Sequence, residues 1–137
     1  MLFPTFNTAA SGLGVFRTWM DAVSDNIANV NTVRPTSDAA FQARFVVASA
    51  IGSGQEAMTG APAGARVSGI SFGNAEGRLV QDPTNPMADA DGMVRLPDID
   101  MGDQMTQLMI AQRGYQMNLA VVDRAKDAYQ QALSIGR

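Results

Sequence analysis

Residues 6–30 read FNTAASGLGVFRTWMDAVSDNIANV, and the fold turns on the spacing within that stretch. Phe6, Leu13, Met20 and Ile27 recur every seven residues, and Ala9, Phe16, Val23 and Val30 repeat the interval three places on. Rows offset in this way are the a and d positions of a heptad seam, sustained over four heptads with no proline between Thr5 and Arg34. The spacing predicts a helix over residues 8–31, about 35 Å long. Pro35 is its expected stop, because the residue before a proline is pushed out of the α region.

A second seam runs from Asp100 to Ser134. Met101, Leu108, Tyr115, Val122 and Tyr129 stand seven apart. Met105, Gln112, Leu119, Lys126 and Leu133 follow at plus four, apolar except at Gln112 and Lys126. Asp98 and Asp100 are placed to cap this helix or to favour its positive end, and Gly136 to close it.

The middle of the chain has a different rhythm. Phe41–Val47, Val67–Phe72, Gly77–Val80 and Met93–Leu96 predict short strands, with Pro83, Pro86, Gly92 and Pro97 as punctuation. Residues 51–66, IGSGQEAMTGAPAGAR, predict a loop. The expected fold is mostly α. Long N- and C-terminal helices form a coiled-coil-like α-domain, with a small irregular β-rich insert between them. The expected segments are an N-terminal assembly helix (1–34), the insert (35–97) and a C-terminal assembly helix (98–137).

Composition removes several classes of function. The chain has 137 residues, enough for one ordinary domain, and a formal net charge of −3, which gives no field to draw in nucleic acid or an anionic membrane. It contains no cysteine and no histidine, so disulfides, zinc–thiolate sites, Ser-His-Asp triads and imidazole bases are excluded. Arginine supplies nine of the ten basic residues, Lys126 being the exception; this fits interface hydrogen bonding or a genomic bias. No cleavable signal is expected in MLFPTFNTAASGLGVF, which lacks a basic start and is broken by Pro4, Asn7, Ser11, Gly12 and Gly14. No apolar run approaches the roughly 18 residues of a membrane span.

Local motifs read as structure. Gly52-Ser53-Gly54-Gln55-Glu56-Ala57 matches G-x-G-x-x-A, but Gly60, Pro62 and Gly64 follow where a dinucleotide site needs a helix. Asp89, Asp91, Gly92 and Asp98 echo a calcium loop, but Met87 would hold its first position, so a solvated turn is expected. Asp98, Asp100 and Asp103 are expected to be helix-start acids, and no nucleophile elbow surrounds any Ser or Thr. Neither a catalytic residue nor a cofactor or metal is expected.

The seams then carry the reading. Gly12 and Gly14 each cost an isolated helix about 1 kcal/mol against alanine, so the first helix should be stable only when packed on others. Those others could lie within the chain or on neighbouring molecules. Near the helix end, Asn26 and Asn31 flank the seam and Asn29 points outward. Such amides could fix register against a neighbouring helix, or simply cap a fraying end.

The same residues carry a resemblance. SGLGVFRTWMDAVSDNIANVNT (11–32) resembles the N-terminal signature of flagellar rod and hook proteins, with its Ser-Gly-Leu opening and Asn-Ile-Ala-Asn-x-Asn-Thr close. Residues 82–137 narrow the resemblance to the proximal-rod class. The matching parts are Asp82-Pro83-x-x-Pro86, Ala88-Asp89-Ala90-x-Gly92, Leu96-Pro97, Met105-x-x-Leu108, and Arg113-x-Tyr115-x-x-Asn118 leading to Ala125-Lys126. The chain departs from the pattern at Gln81 and Met93, where the family usually has aromatics. It departs again at Val33-Arg34-Pro35-Thr36-Ser37-Asp38, which replaces a Gly-Gly-Pro-Tyr-Arg-like segment.

The resemblance implies a structural subunit of the bacterial flagellar basal body, exported by the flagellar type III apparatus and assembled helically in the periplasm into the torque-carrying rod. Its implied partners are copies of itself, other rod proteins, and rotor-ring or export-gate adaptors at the rod base, with no nucleic acid and no membrane insertion. On that reading Leu13, Phe16, Met20, Val23 and Ile27 form a first assembly face. Met105, Leu108, Tyr115, Leu119 and Val122 form a second, joined by Asn118, and Asn26, Asn29 and Asn31 set register. Two rivals stand beside it: a monomeric periplasmic binding module with an internal αα-hairpin, and a peptidoglycan-acting enzyme with a carboxylate in a cleft.

Overall fold

A computed structural model describes residues 3–52 and 64–136, with side chains from Phe6 onward. The helices are α1 (Phe3–Asn29) and α2 (Met101–Ile135), and the strands between them are β1 (Arg44–Ala50), β2 (Ala65–Phe72), β3 (Arg78–Gln81) and β4 (Met93–Leu96). The expected order is present, with shifted boundaries. The G-x-G-x-x-A stretch lies, beyond Gly52, outside the described residues.

The end of α1 is set by its asparagines rather than by Pro35. Asn29 Nδ2 donates to Asp25 O, one turn back, at 2.9 Å, and its Oδ1 accepts from Thr32 Oγ1 at 3.1 Å. A side chain that bonds the backbone in this way competes with the helix ladder, and the helix stops at Asn29. Gly136 does not close α2 in a left-handed conformation; its N–H donates to Ala132 O at 3.3 Å and prolongs the helical pattern.

The chain divides into two compact units. One comprises Met1–Met20, Val46–Gly69 and Met109–Arg137, the other Asp21–Phe45 and Ile70–Leu108. Each draws on both helices and on the strands.

In the second unit β3 and β4 pair antiparallel, Arg78 opposite Leu96 and Gln81 opposite Met93. Arg34 continues the ladder beyond them, exchanging backbone bonds of 2.9 Å with Arg95. The connection from Asp82 to Gly92 is held by its own side chains. Asp82 accepts from Thr84 Oγ1 (2.9 Å) and Asn85 Nδ2 (3.2 Å), and Asn85 Oδ1 accepts from Met87 N (3.0 Å). A small core of Val30, Ala43 and Ile99, with Phe41 against it, lies in this unit, and Val94 and Pro97 are fully buried. Phe41 is thus a core side chain ahead of β1 rather than the start of the strand. Asp100 caps α2 as expected, its Oδ1 accepting from Asp103 N at 2.8 Å.

In the first unit α1 meets α2 through glycine. A Cβ at Gly12 would stand 3.0 Å from Asn118 Nδ2, and one at Gly114 would stand 2.4 Å from the Phe16 ring. As numbering rises from 12 to 16 on α1 it falls from 118 to 114 on α2, so the helices pack antiparallel here. Ser11 ties α1 to β2, donating to Thr8 O at 2.7 Å and accepting from Ala65 N at 3.0 Å. Nothing lies within 4 Å of a Cβ built at Gly14, and the structure gives no reason for that glycine.

Candidate assembly surface

The first seam is half covered by the chain itself. Its d row is the inner one: Ala9, Val23 and Val30 are buried and Phe16 is half-buried. The a row, Phe6, Leu13, Met20 and Ile27, is half-buried throughout. The fully buried members are alanine and valine, and the larger side chains, Phe16 among them, are half-buried.

The second seam is covered by the chain along one of its two rows only. Leu108, Tyr115 and Val122 are half-buried, as an inner row should be, but the plus-four row is not their partner. Met105 is 48% exposed, Leu119 42% and Leu133 57%, and Gln112 and Lys126 are exposed too. The true second inner row lies on the opposite flank: Gln104 and Ala111 are buried, Asn118 and Ala125 half-buried. In the first unit Asn118 of this row lies against Gly12, where the two helices approach closely.

The consequence is an α2 with large apolar side chains outward. Within the first unit Leu119 lies on one side, while Ile110, Met117 and Val121 are 51%, 71% and 44% exposed on the other, following a helical period. Within the second unit Met101 and Met105 are exposed.

The three asparagines separate. Asn26 is 1% exposed, and its amide acts like a peptide group beside β1. It accepts from Arg44 N at 2.8 Å, donates to Arg44 O at 3.0 Å, and donates also to Gln104 Oε1 at 2.9 Å. Its register-setting contacts are therefore made inside its own unit. Asn29 serves the helix end, and Asn31 is exposed. Arg44, so seated, also pairs with Asp25. Sequence reasoning overlooked Gln104; a polar residue on the inner flank, three before Gln107 and seven before Ala111, was the available signal.

The acidic residues singled out earlier are occupied by turns. Asp89 Oδ1 accepts from Met93 N (2.9 Å) and Asp91 N (3.0 Å), and its Oδ2 accepts from Thr36 Oγ1 (2.9 Å). The Met93 bond first, then Thr36, holds this carboxyl below its ordinary range, and the bonds from Thr84 and Asn85 do the same for Asp82. Among the described residues no three His, Cys, Asp or Glu side chains are grouped to hold a metal, and no helix is long and apolar enough to cross a membrane.

Comparison with known proteins shows the family to which the chain belongs. A family model described as "Flagella basal body rod protein" matches residues 6–36, and one described as "Flagellar basal body rod FlgEFG protein C-terminal" matches 90–135. The chain is 30% identical over 137 residues to the flagellar basal-body rod protein FlgC of Salmonella typhimurium, covering 99% of this chain and 98% of that one. It is 32% identical to the FlgC of Bacillus subtilis, covering 98% of each, and 34% identical to that of Yersinia enterocolitica, covering 99% and 98%. The chain belongs to the FlgC family of flagellar basal-body rod proteins. That family is one of structural rod proteins.

For a FlgC-family chain the two departures noted in the sequence acquire a location. Gln81 and Met93, two positions at which the sequence departs from the resemblance, face each other across the β3–β4 ladder. The atypical 33–38 segment is bound to the same ribbon. Arg34 bridges Arg95, Thr36 holds Asp89, and Arg95 Nη2 donates to Thr36 O at 2.9 Å. The departures are neighbours and form one altered patch.

Proposed function

We propose that this FlgC-family chain is a proximal-rod subunit that packs helically with copies of itself and with other rod proteins, so that torque passes from rotor to hook and filament. The observation that carries this reading is the outward apolar surface of α2. A helix in water keeps its large side chains inward. Here Met105, Leu119, Ile110 and Met117 are exposed, while the fully buried side chains of the helix are Gln104 and Ala111. Strips on two sides of one helix require more than one covering neighbour, as a heterologous helical lattice supplies. The heptad spacing of both seams supports coiled-coil-like packing at those contacts. Assembly in the periplasm after type III export, and contact with rotor-ring or export-gate adaptors at the rod base, extend the same reading.

The half-buried Leu13 and Leu108 touch the chain's own fold, so Met105→Asp and Leu119→Asp are the cleaner tests. Each variant should remain helical and exported, yet give no rods and no swimming in cells lacking the wild-type chain. Full motility with both variants would refute the assignment. A monomeric binding module is favoured by the antiparallel helix contact in the first unit, but it leaves the outer side chains of α2 without a role. Sedimentation of the purified chain at rising concentration separates the two.

A further inference from the structure

We propose that the exposed methionines of α2 are a site of sulfoxidation that blocks assembly. The proposal rests on the reading of α2 as an assembly surface. Met101, Met105, Met109 and Met117 are 39%, 48%, 56% and 71% exposed, and all four lie on α2. Met20 and Met93, on α1 and β4, are half-buried. A thioether reacts with hydrogen peroxide when the oxidant can reach sulfur. The O–O bond breaks, one oxygen bonds to sulfur, the sulfur loses two electrons, and water leaves. The product is a polar, chiral sulfoxide on a side chain whose value at a contact lies in being apolar and pliable. A subunit oxidised before it is covered carries a strong hydrogen-bond acceptor into the contact with nothing to satisfy it. Once assembled, the same sulfurs are sheltered. The susceptible interval is the one between synthesis and incorporation, and a reductase acting on methionine sulfoxide would restore the free subunit.

The test uses hydrogen peroxide on cells building new rods. It compares the wild-type chain with a variant carrying Leu at 101, 105, 109 and 117, and with one carrying Gln at those positions. Met87→Leu, at an exposed methionine off α2, is the control. Peptide masses from the wild-type chain should show one added oxygen at the α2 methionines before Met20 and Met93. Peroxide should lower wild-type rod yield about tenfold, the factor expected for one uncompensated buried polar group, leave the Leu variant within about twofold, and leave Met87→Leu as sensitive as wild type. The Gln variant should fail without peroxide. Equal loss in the Leu variant, or α2 methionines that stay reduced, would overturn the proposal while sparing the assembly reading. Normal rods from the Gln variant would overturn that reading and this inference together.

Discussion

Asn26 and Arg44 are joined as two strands would be, the side-chain amide of one matching both the N–H and the C=O of the other at 2.8 and 3.0 Å. A residue of α1 thereby takes the place of a ladder partner at the first residue of β1. Its second N–H reaches Gln104 on α2, so one buried amide joins three elements of its unit.

Asn26→Ala should therefore be costly. It strands the Arg44 N–H and the Gln104 carbonyl in a buried site, at about 1–3 kcal/mol for each unsatisfied group. Urea denaturation should show a fall of about 3 kcal/mol, with Gln104→Ala losing less. A double-mutant cycle should return a coupling of about 1 kcal/mol or more between the two. Additivity would mean the amide contact contributes nothing.

The glycines at 14 and 114 predict opposite outcomes from the same substitution. Gly14→Ala puts a methyl into open space on a helix and should stabilise by about 1 kcal/mol. Gly114→Ala forces the Phe16 ring aside and should destabilise, overpacking of about 1–3 kcal/mol outweighing the propensity gain. Thermal unfolding of the two variants side by side is the measurement; a shift in the same direction for both would contradict the helix contact described here.

Restoring aromatics at the altered patch should strengthen the ribbon. Gln81→Tyr with Met93→Phe creates a cross-strand aromatic pair on β3 and β4, which should add about 0.5–1 kcal/mol beyond the two single changes. Amide exchange at Val80 and Val94 would report it, and slower exchange in the double variant than in either single one is the expected result.

Acid should loosen the Asp82–Gly92 connection. The carboxyls of Asp82 and Asp89 titrate lower in the folded chain than in the unfolded one, because the folded chain hydrogen-bonds their charged forms. Their stabilisation is complete above the ordinary carboxylate pKa and disappears as pH falls through the lowered value. Melting temperature should drop on acidification below about pH 4, and Asp89→Asn should show a shallower drop over that window. An unchanged slope in the variant would show that the carboxylate is not the source.

The helices were legible from a period of seven and the strands from alternation in the sequence, and Asp100 declared its cap through its position before an apolar run. What the pattern concealed was the inner face of α2. Ala111 and Asn118 carry no strong hydropathic signal, while Met105 and Leu119 do, so apolarity alone does not pick out the row that the chain itself covers. On the reading proposed above this has a physical source: large apolar groups kept for neighbouring subunits do not obey the rule for a helix buried in a monomer. Asn26 misled in the complementary way. A polar residue beside a seam is ordinarily at its rim, and only the approach of β1 and Gln104 makes full burial tolerable.

The division of side-chain size across α2 leaves its two faces free to evolve apart. On the assembly reading proposed above, a change at Met117 or Leu119 would alter an outward contact of α2 without asking Ala111 or Gly114 to compensate.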